Sequence, residues 1–189
     1  TGSEELMEKY FAGEEFTTEE IQNALRENVK QCNIAPILMG SGIHVQGFNV
    51  LLQVIDKYFP SPKELEAIGV DASTGEHFTA HYNDEATISG RVWKTIADPF
   101  LGKYSLFKIC TGVLKANSEI YNVNKESMEK VGKVYLLRGN TPIEVPELKS
   151  GDIGAVAKLN ISETGDSISV RNAPILYHGP KLSEPFTFM

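Results

Sequence analysis

The residues of this chain best placed to meet a ligand are Ile37-Leu38-Met39-Gly40-Ser41-Gly42. An apolar run ends there on three small residues and opens toward a helical pattern. In open α/β sheets, ligands bind at the carboxyl ends of strands. Small side chains at such a turn let backbone N–H groups approach a flat base or an anion, although a plain strand-to-helix turn would use the same residues. His77 and His81 stand four residues apart, which on a helix would set two imidazoles on one face as a metal pair. The segment His77-Phe78-Thr79-Ala80-His81-Tyr82 instead reads as extended and lacks the glutamate of a metalloprotease motif, so no metal ligand is assigned. His44 and His178 are isolated. No Ser, Cys or carboxylate has a general-base partner at motif spacing, and no catalytic residue is assigned. Cys32 and Cys110 are too few and too far apart for a disulfide framework or a zinc site.

The elements that would position these residues change character along the chain. Residues 4–12 form a short helix candidate with Leu6, Met7, Tyr10 and Phe11 on one side. Thr17-Thr18-Glu19-Glu20 reads as a capping box, and Ile21, Leu25 and Val29 predict an amphipathic helix over 18–31. Ile34 to Met39 has the length of a buried strand, with Pro36 pushing it toward an edge or an end. Phe48, Leu51, Leu52, Ile55 and Phe59 mark another helix, stopped by Pro60-Ser61-Pro62. One strand between helices cannot make a sheet, so this half is incomplete by itself. Residues 63–86 are polar and weakly patterned, as a linker with a strand or two. Short β-rich runs then fall at 88–95, 103–111, 113–123, 131–138, 153–159 and 167–171, separated by Gly, Asp and Asn turn signals. Within the second of these, Ser105, Phe107 and Ile109 share one face and Tyr104, Leu106 and Lys108 the other. Many short strands between such turns predict a small closed or nearly closed barrel. The tail from Asn172 reads as extended.

Charge divides the chain in the same place. The whole carries −7. Residues 1–86 hold 5 Lys/Arg against 15 Asp/Glu, whereas residues 87–170 hold 11 against 9. The acidic part would be repelled by nucleic acid, while the later part could meet phosphates through a local lysine patch. At 41% hydrophobic and 23% charged, the composition suits a soluble globular protein. No apolar run approaches the roughly 18 residues of a membrane span, and no signal peptide is evident.

Two stretches carry a family resemblance. One runs from Arg91-Val92-Trp93-Lys94 through Asp98-Pro99-Phe100-Leu101-Gly102-Lys103 to Thr111-Gly112. The other runs from Lys149-Ser150-Gly151-Asp152 to Thr164-Gly165-Asp166. Together they resemble the second domain of translational GTPases of the elongation factor G type. Gly40-Ser41-Gly42 resembles the fifth nucleotide-binding motif of that family, usually Gly-Ser-Ala. The acidic segment Glu4 to Glu15 resembles the end of the subdomain inserted in the GTPase domain, which faces the ribosomal stalk protein.

The resemblance implies an α/β fragment followed by an all-β part: the C-terminal piece of a P-loop GTPase domain plus a translation-factor-type β-barrel. Residues 1–62 would end the GTPase domain, 63–86 link, 87–171 form the domain II barrel, and 172–189 lead into a third domain. The implied parent is a cytoplasmic, ribosome-dependent GTPase that uses GTP and Mg²⁺ and promotes translocation in protein synthesis. Its barrel would contact small-subunit RNA and couple nucleotide state to the ribosome. Ser41 would support the base-binding loop and the Gly42 amide would contact guanine. Lys94, Lys103, Lys108, Lys130 and Lys133 are candidate phosphate contacts, chosen by charge and expected exposure. Lys108-Ile109-Cys110-Thr111-Gly112 stands where the family usually has Arg-Val-Tyr-Ser-Gly, which leaves room for a ribosome-protection protein or an elongation-factor-like paralogue. No G-x-x-x-x-G-K-[ST] pattern, Asp-x-x-Gly segment or Asn-Lys-x-Asp segment of the family accompanies these motifs. Without phosphate and metal ligands, this stretch is expected to bind GTP negligibly and not to hydrolyse it, and to be monomeric.

Overall fold

The computed structural model of the chain describes residues 4–98, 102–139 and 141–179. The chain divides into two units, one up to Glu64 and one from Leu65.

The first unit holds three helices: α1 (Glu4–Phe11), α2 (Thr18–Lys30) and α3 (Phe48–Tyr58). The capping box forms as its residues predict. The Thr17 hydroxyl accepts from the Glu20 N–H, and the Glu20 carboxylate accepts from the Thr17 N–H at 2.7 Å. The Lys9 ammonium, 2.7 Å away, and then these Thr17 donors hold the Glu20 carboxyl down at about 2. Arg26 joins α2 to the end of α3 and to Glu64 beyond it, donating to the Lys57 carbonyl and to both Glu64 carboxylate oxygens.

No described residue of this unit is buried. Phe48, Leu51, Leu52 and Ile55 of α3 all lie 40% or more exposed, so the apolar face predicted for the helix exists and stays largely open. The strand expected at Ile34–Met39 does not form. A strand needs a neighbour to take its N–H and C=O groups, and no strand is found among the described residues of this unit. Its side chains point to solvent instead, Ile37 at 91% and Met39 at 94% exposure.

The second unit is a β structure with a buried core. Strands β1 (Glu66–Asp71) and β2 (His77–His81) lie in the stretch read as a linker. They are followed by β3 (Ser89–Asp98), β4 (Gly102–Thr111), β5 (Leu114–Lys115), β6 (Glu119–Asn122) and β7 (Ser127–Lys130). Then come β8 (Val134–Arg138), β9 (Thr141–Val145), β10 (Glu147–Leu148), β11 (Ile153–Ala157), β12 (Ser167–Ser169) and β13 (Ile175–Tyr177). An eight-stranded antiparallel sheet runs in the order β7-β6-β12-β3-β4-β11-β8-β9, and β5 pairs with β10. The edge strands β7 and β9 do not pair with each other, so the sheet is barrel-like without a closed ring of pairing. Pro142 sits on the edge strand β9, where a missing donor costs least.

The predicted run 113–123 is broken into β5 and β6 by a turn in which Asn117 takes a φ of 56°. Strands β7, β9, β10 and β13 fall outside the predicted runs. β13 pairs with β1, which pairs with β2, so the residues flanking the barrel form a sheet of their own. That sheet packs on the barrel through Ala80, Ile175, Tyr177 and the buried Cys110 of β4. The Pro99–Leu101 part of the Asp98–Gly102 loop, Asn140, and the tail from Pro180 lie outside the described residues.

The barrel core gathers Val92, Phe107, Ile109, Leu114, Ile120, Val131, Val134, Leu148, Val156, Leu159 and Ile168. The end of β4 is pinned by Gly112, whose φ is 68° and whose N–H donates to the Asn83 carbonyl at 2.8 Å. A Cβ there would lie 2.6 Å from both the Ala86 carbonyl oxygen and the Ile88 nitrogen, backbone atoms that cannot swing aside. Gly112→Ala should therefore destabilise the β unit by about 3 kcal/mol, from left-handed strain plus overpacking, measured as a lower urea midpoint.

Candidate nucleic-acid interface

Two turns and the end of a strand build a groove of the β unit with a volume of about 920 Å³. The turn between β5 and β6 contributes Asn117, Ser118 and Glu119, and the turn between β7 and β8 contributes Val131, Gly132 and Lys133. The two are stapled by backbone bonds: Asn117 N–H donates to the Gly132 carbonyl and Val131 N–H to the Ser118 carbonyl. Lys130 enters from the end of β7, Tyr135 from β8, and Lys158 from just past β11. Lys158 takes a φ of 63° and its N–H donates to the Lys103 carbonyl, which turns the chain out of the sheet. Half-buried Tyr135 makes an edge contact with Tyr104, ring centroids 5.7 Å apart.

Three lysines thus line one groove. Lys133 bonds Glu144 at 2.7 Å, and that hydrogen bond raises its pKa. Lys130 stands opposite Glu119 across β6 and β7. Exposed Lys158 has no ion pair among the described residues. Such a row of ammonium groups around a half-buried aromatic ring suits a phosphate backbone carrying exposed bases.

The segment after Lys158 is held by a buried carboxylate. Glu129, only 7% exposed, accepts from the N–H groups of Asn160, Ile161 and Ser162 and from the Ser162 hydroxyl, at 2.6 to 3.0 Å. Burial works to raise its pKa, but these four donors outweigh it and the carboxyl titrates below its ordinary value. Asn122 extends the network, donating to Ser162 Oγ and to Asp166. Lys103 donates to the Ser162 carbonyl at 2.9 Å, so this candidate phosphate contact is occupied in holding the same segment.

The other candidates lie apart. Lys94 is exposed on β3 beside an irregularity in its pairing with β4. Lys108 is half-buried, its ammonium 5.6 Å from the centre of the Tyr82 ring. In the first unit, Ser41 bridges to Gln46 by two backbone bonds and its Oγ accepts from the His44 N–H. The Gly42 N–H is exposed and makes no hydrogen bond among the described residues, with open space where a Cβ would stand. A cavity of about 210 Å³ runs along this loop. Its close return depends on Gly47, with a φ of 83°, since a Cβ there would meet the Met39 carbonyl at 2.8 Å. The loop can offer a donor to the edge of a base. His77 and His81 lie at opposite ends of β2, His81 facing Glu66 at 3.6 Å.

Lys158, Tyr135 and Glu129 were not singled out by the sequence. A lysine at positive φ has no compositional signature, and a glutamate in an exposed-looking Ser-Met-Glu-Lys run gives no sign that it faces inward. Glu129→Gln should cost about 2 kcal/mol at pH 7, because one acceptor becomes a donor facing N–H groups. Since the folded pKa is lowered, the stability from ionised Glu129 is present above its ordinary carboxyl value of 4.5 and is lost as pH falls through the folded value. Urea titrations across pH 3 to 7 should show the two proteins converging at the acid end.

Residues 87–171 match the family model described as elongation factor G domain 2. Over 96% of its length the chain is also similar to a protein of known crystal structure from Thermus thermophilus, with 25% identity and a TM-score of 0.63. The chain spans 23% of that protein's length. Residues 87–171 are therefore a domain of the elongation factor G domain 2 family.

Proposed function

We propose that this chain serves as part of a ribosome-dependent translational GTPase that promotes translocation, its β unit being the ribosome-contacting and coupling domain. The observation that carries the reading is the groove on the family-matched domain, where Lys130, Lys133 and Lys158 surround Tyr135. The contacted partner is small-subunit ribosomal RNA. Catalysis belongs to residues outside this stretch, since it holds no phosphate loop. GTP, with Mg²⁺, is the cofactor of the whole protein; here Ser41 holds the loop and the Gly42 N–H donates to the guanine oxygen. The uncovered apolar face of α3 supports the same reading, as a surface made to be packed against further chain. The acidic helix α1 is the element suited to the stalk protein, and the setting is the cytoplasm. No described helix is long and apolar enough to cross a membrane.

Binding of this chain to purified small ribosomal subunits tests the assignment. The triple variant K130A/K133A/K158A should bind more weakly and show a salt dependence shallower by about 2 to 3 in log–log slope, close to one for each lost phosphate contact. Unchanged affinity and slope in a folded triple variant would sink the RNA assignment.

A further inference from the structure

A second cavity of the β unit, about 240 Å³, shares no lining residue with the lysine groove. Among its walls are Glu66, Tyr82, Arg91, Lys108, Cys110 and Tyr177. Arg91 of β3 and Lys108 of β4 are direct cross-strand partners, so two cations face each other in register. Like charges opposite one another on paired strands are destabilising. Both residues are half-buried, where salt screens their repulsion less than on an open surface.

No carboxylate among the described residues forms an ion pair with either. Glu66, which lines the cavity, faces His81 instead. Among the described residues the Lys108 ammonium lies over the face of Tyr82, and Arg91 makes no side-chain hydrogen bond. Burial pushes the Cys110 thiol up, and Lys108 and Arg91 line the same cavity as this thiol.

We propose that Arg91 and Lys108 form a binding site for a single phosphate group. A guanidinium offers a planar fork to two phosphate oxygens and an ammonium adds a mobile point charge, so one phosphate group satisfies both and removes their repulsion. The volume lies below the roughly 300 Å³ at which pockets begin to hold drug-sized ligands, so it suits a phosphate group and not a whole nucleotide. The site goes beyond the ribosomal reading, because it needs only this chain and residues outside the groove. The phosphate group can belong to a free ion or to a phosphodiester.

The test uses the purified chain in chloride buffer at constant ionic strength, titrated with inorganic phosphate and separately with a short oligouridylate. Saturable amide shifts are expected at Tyr82, Arg91, Lys108 and Cys110, with a matching rise in Tm. Arg91→Met or Lys108→Met should weaken phosphate binding by roughly tenfold, the size expected for one charge-assisted contact. In chloride alone neither variant should melt below the wild type, because each removes a repulsion. Lys108→Arg should bind within about threefold of wild type, since it keeps a charged donor. Its binding keeps the test decisive if a methionine variant does not fold. Response to inorganic phosphate alone identifies a free-ion site, and competition by oligouridylate identifies a phosphodiester site. Shifts spread over all basic residues, or a phosphate response that survives in folded R91M/K108M, would overturn the proposal.

Discussion

Strand β4 is buried on both faces, and the β unit is organised around that burial. One face sends Phe107 and Ile109 into the barrel core, while the other packs Tyr104 and Leu106 against Ala155. Its two edges are taken by β3 and β11, which leaves none of its backbone groups for solvent in the paired stretch. At its end, Cys110 receives the β1-β2-β13 sheet and Thr111 bonds both Ser89 and the Thr87 carbonyl. Apolar burial at about 25 cal/mol per Å² makes such a strand costly to displace. The cavity takes Lys108 and Cys110 from β4 itself, and the groove takes Ala157 and Lys158 from the end of its neighbour β11.

The two units differ in what holds them. The β unit has a large barrel core with two smaller buried clusters, and buried polar networks whose members are mutually bonded, notably Glu129 with Ser162 and Asn122 with Asp166. The helical unit has no buried described residue and is tied by surface contacts, the Arg26–Glu64 fork and the Lys9–Glu20 pair. Exposed ion pairs contribute little, about 0 to 1 kcal/mol each. Its helices are correct in place and pattern, but their apolar faces stay largely exposed.

The lysines divide along the same physical lines. Charge and expected exposure grouped five of them, yet the fold gives them different work. Lys130 and Lys133 share a groove with Lys158, Lys103 anchors a carbonyl beside the Glu129 carboxylate, Lys108 lies over Tyr82 opposite Arg91, and Lys94 is exposed on β3. A cation's role depends on what it faces across the sheet, and facing is a long-range relation.

By itself the sequence determined what depends on near neighbours. The Thr17–Glu20 box, the spans of α2 and α3, the alternation along β4 and the family motifs at Arg91–Gly112 were all legible, because each rests on residues a few positions apart. Tertiary structure alone decided that Ile34–Met39 is no strand, that residues 66–81 and 175–177 join in one sheet, and that Glu129 points inward. Strand pairing and carboxylate burial are set by partners far along the chain, as between Gly69 of β1 and Tyr177 of β13, or between Glu129 and Ser162. No local pattern encodes which distant backbone will supply the missing hydrogen bonds.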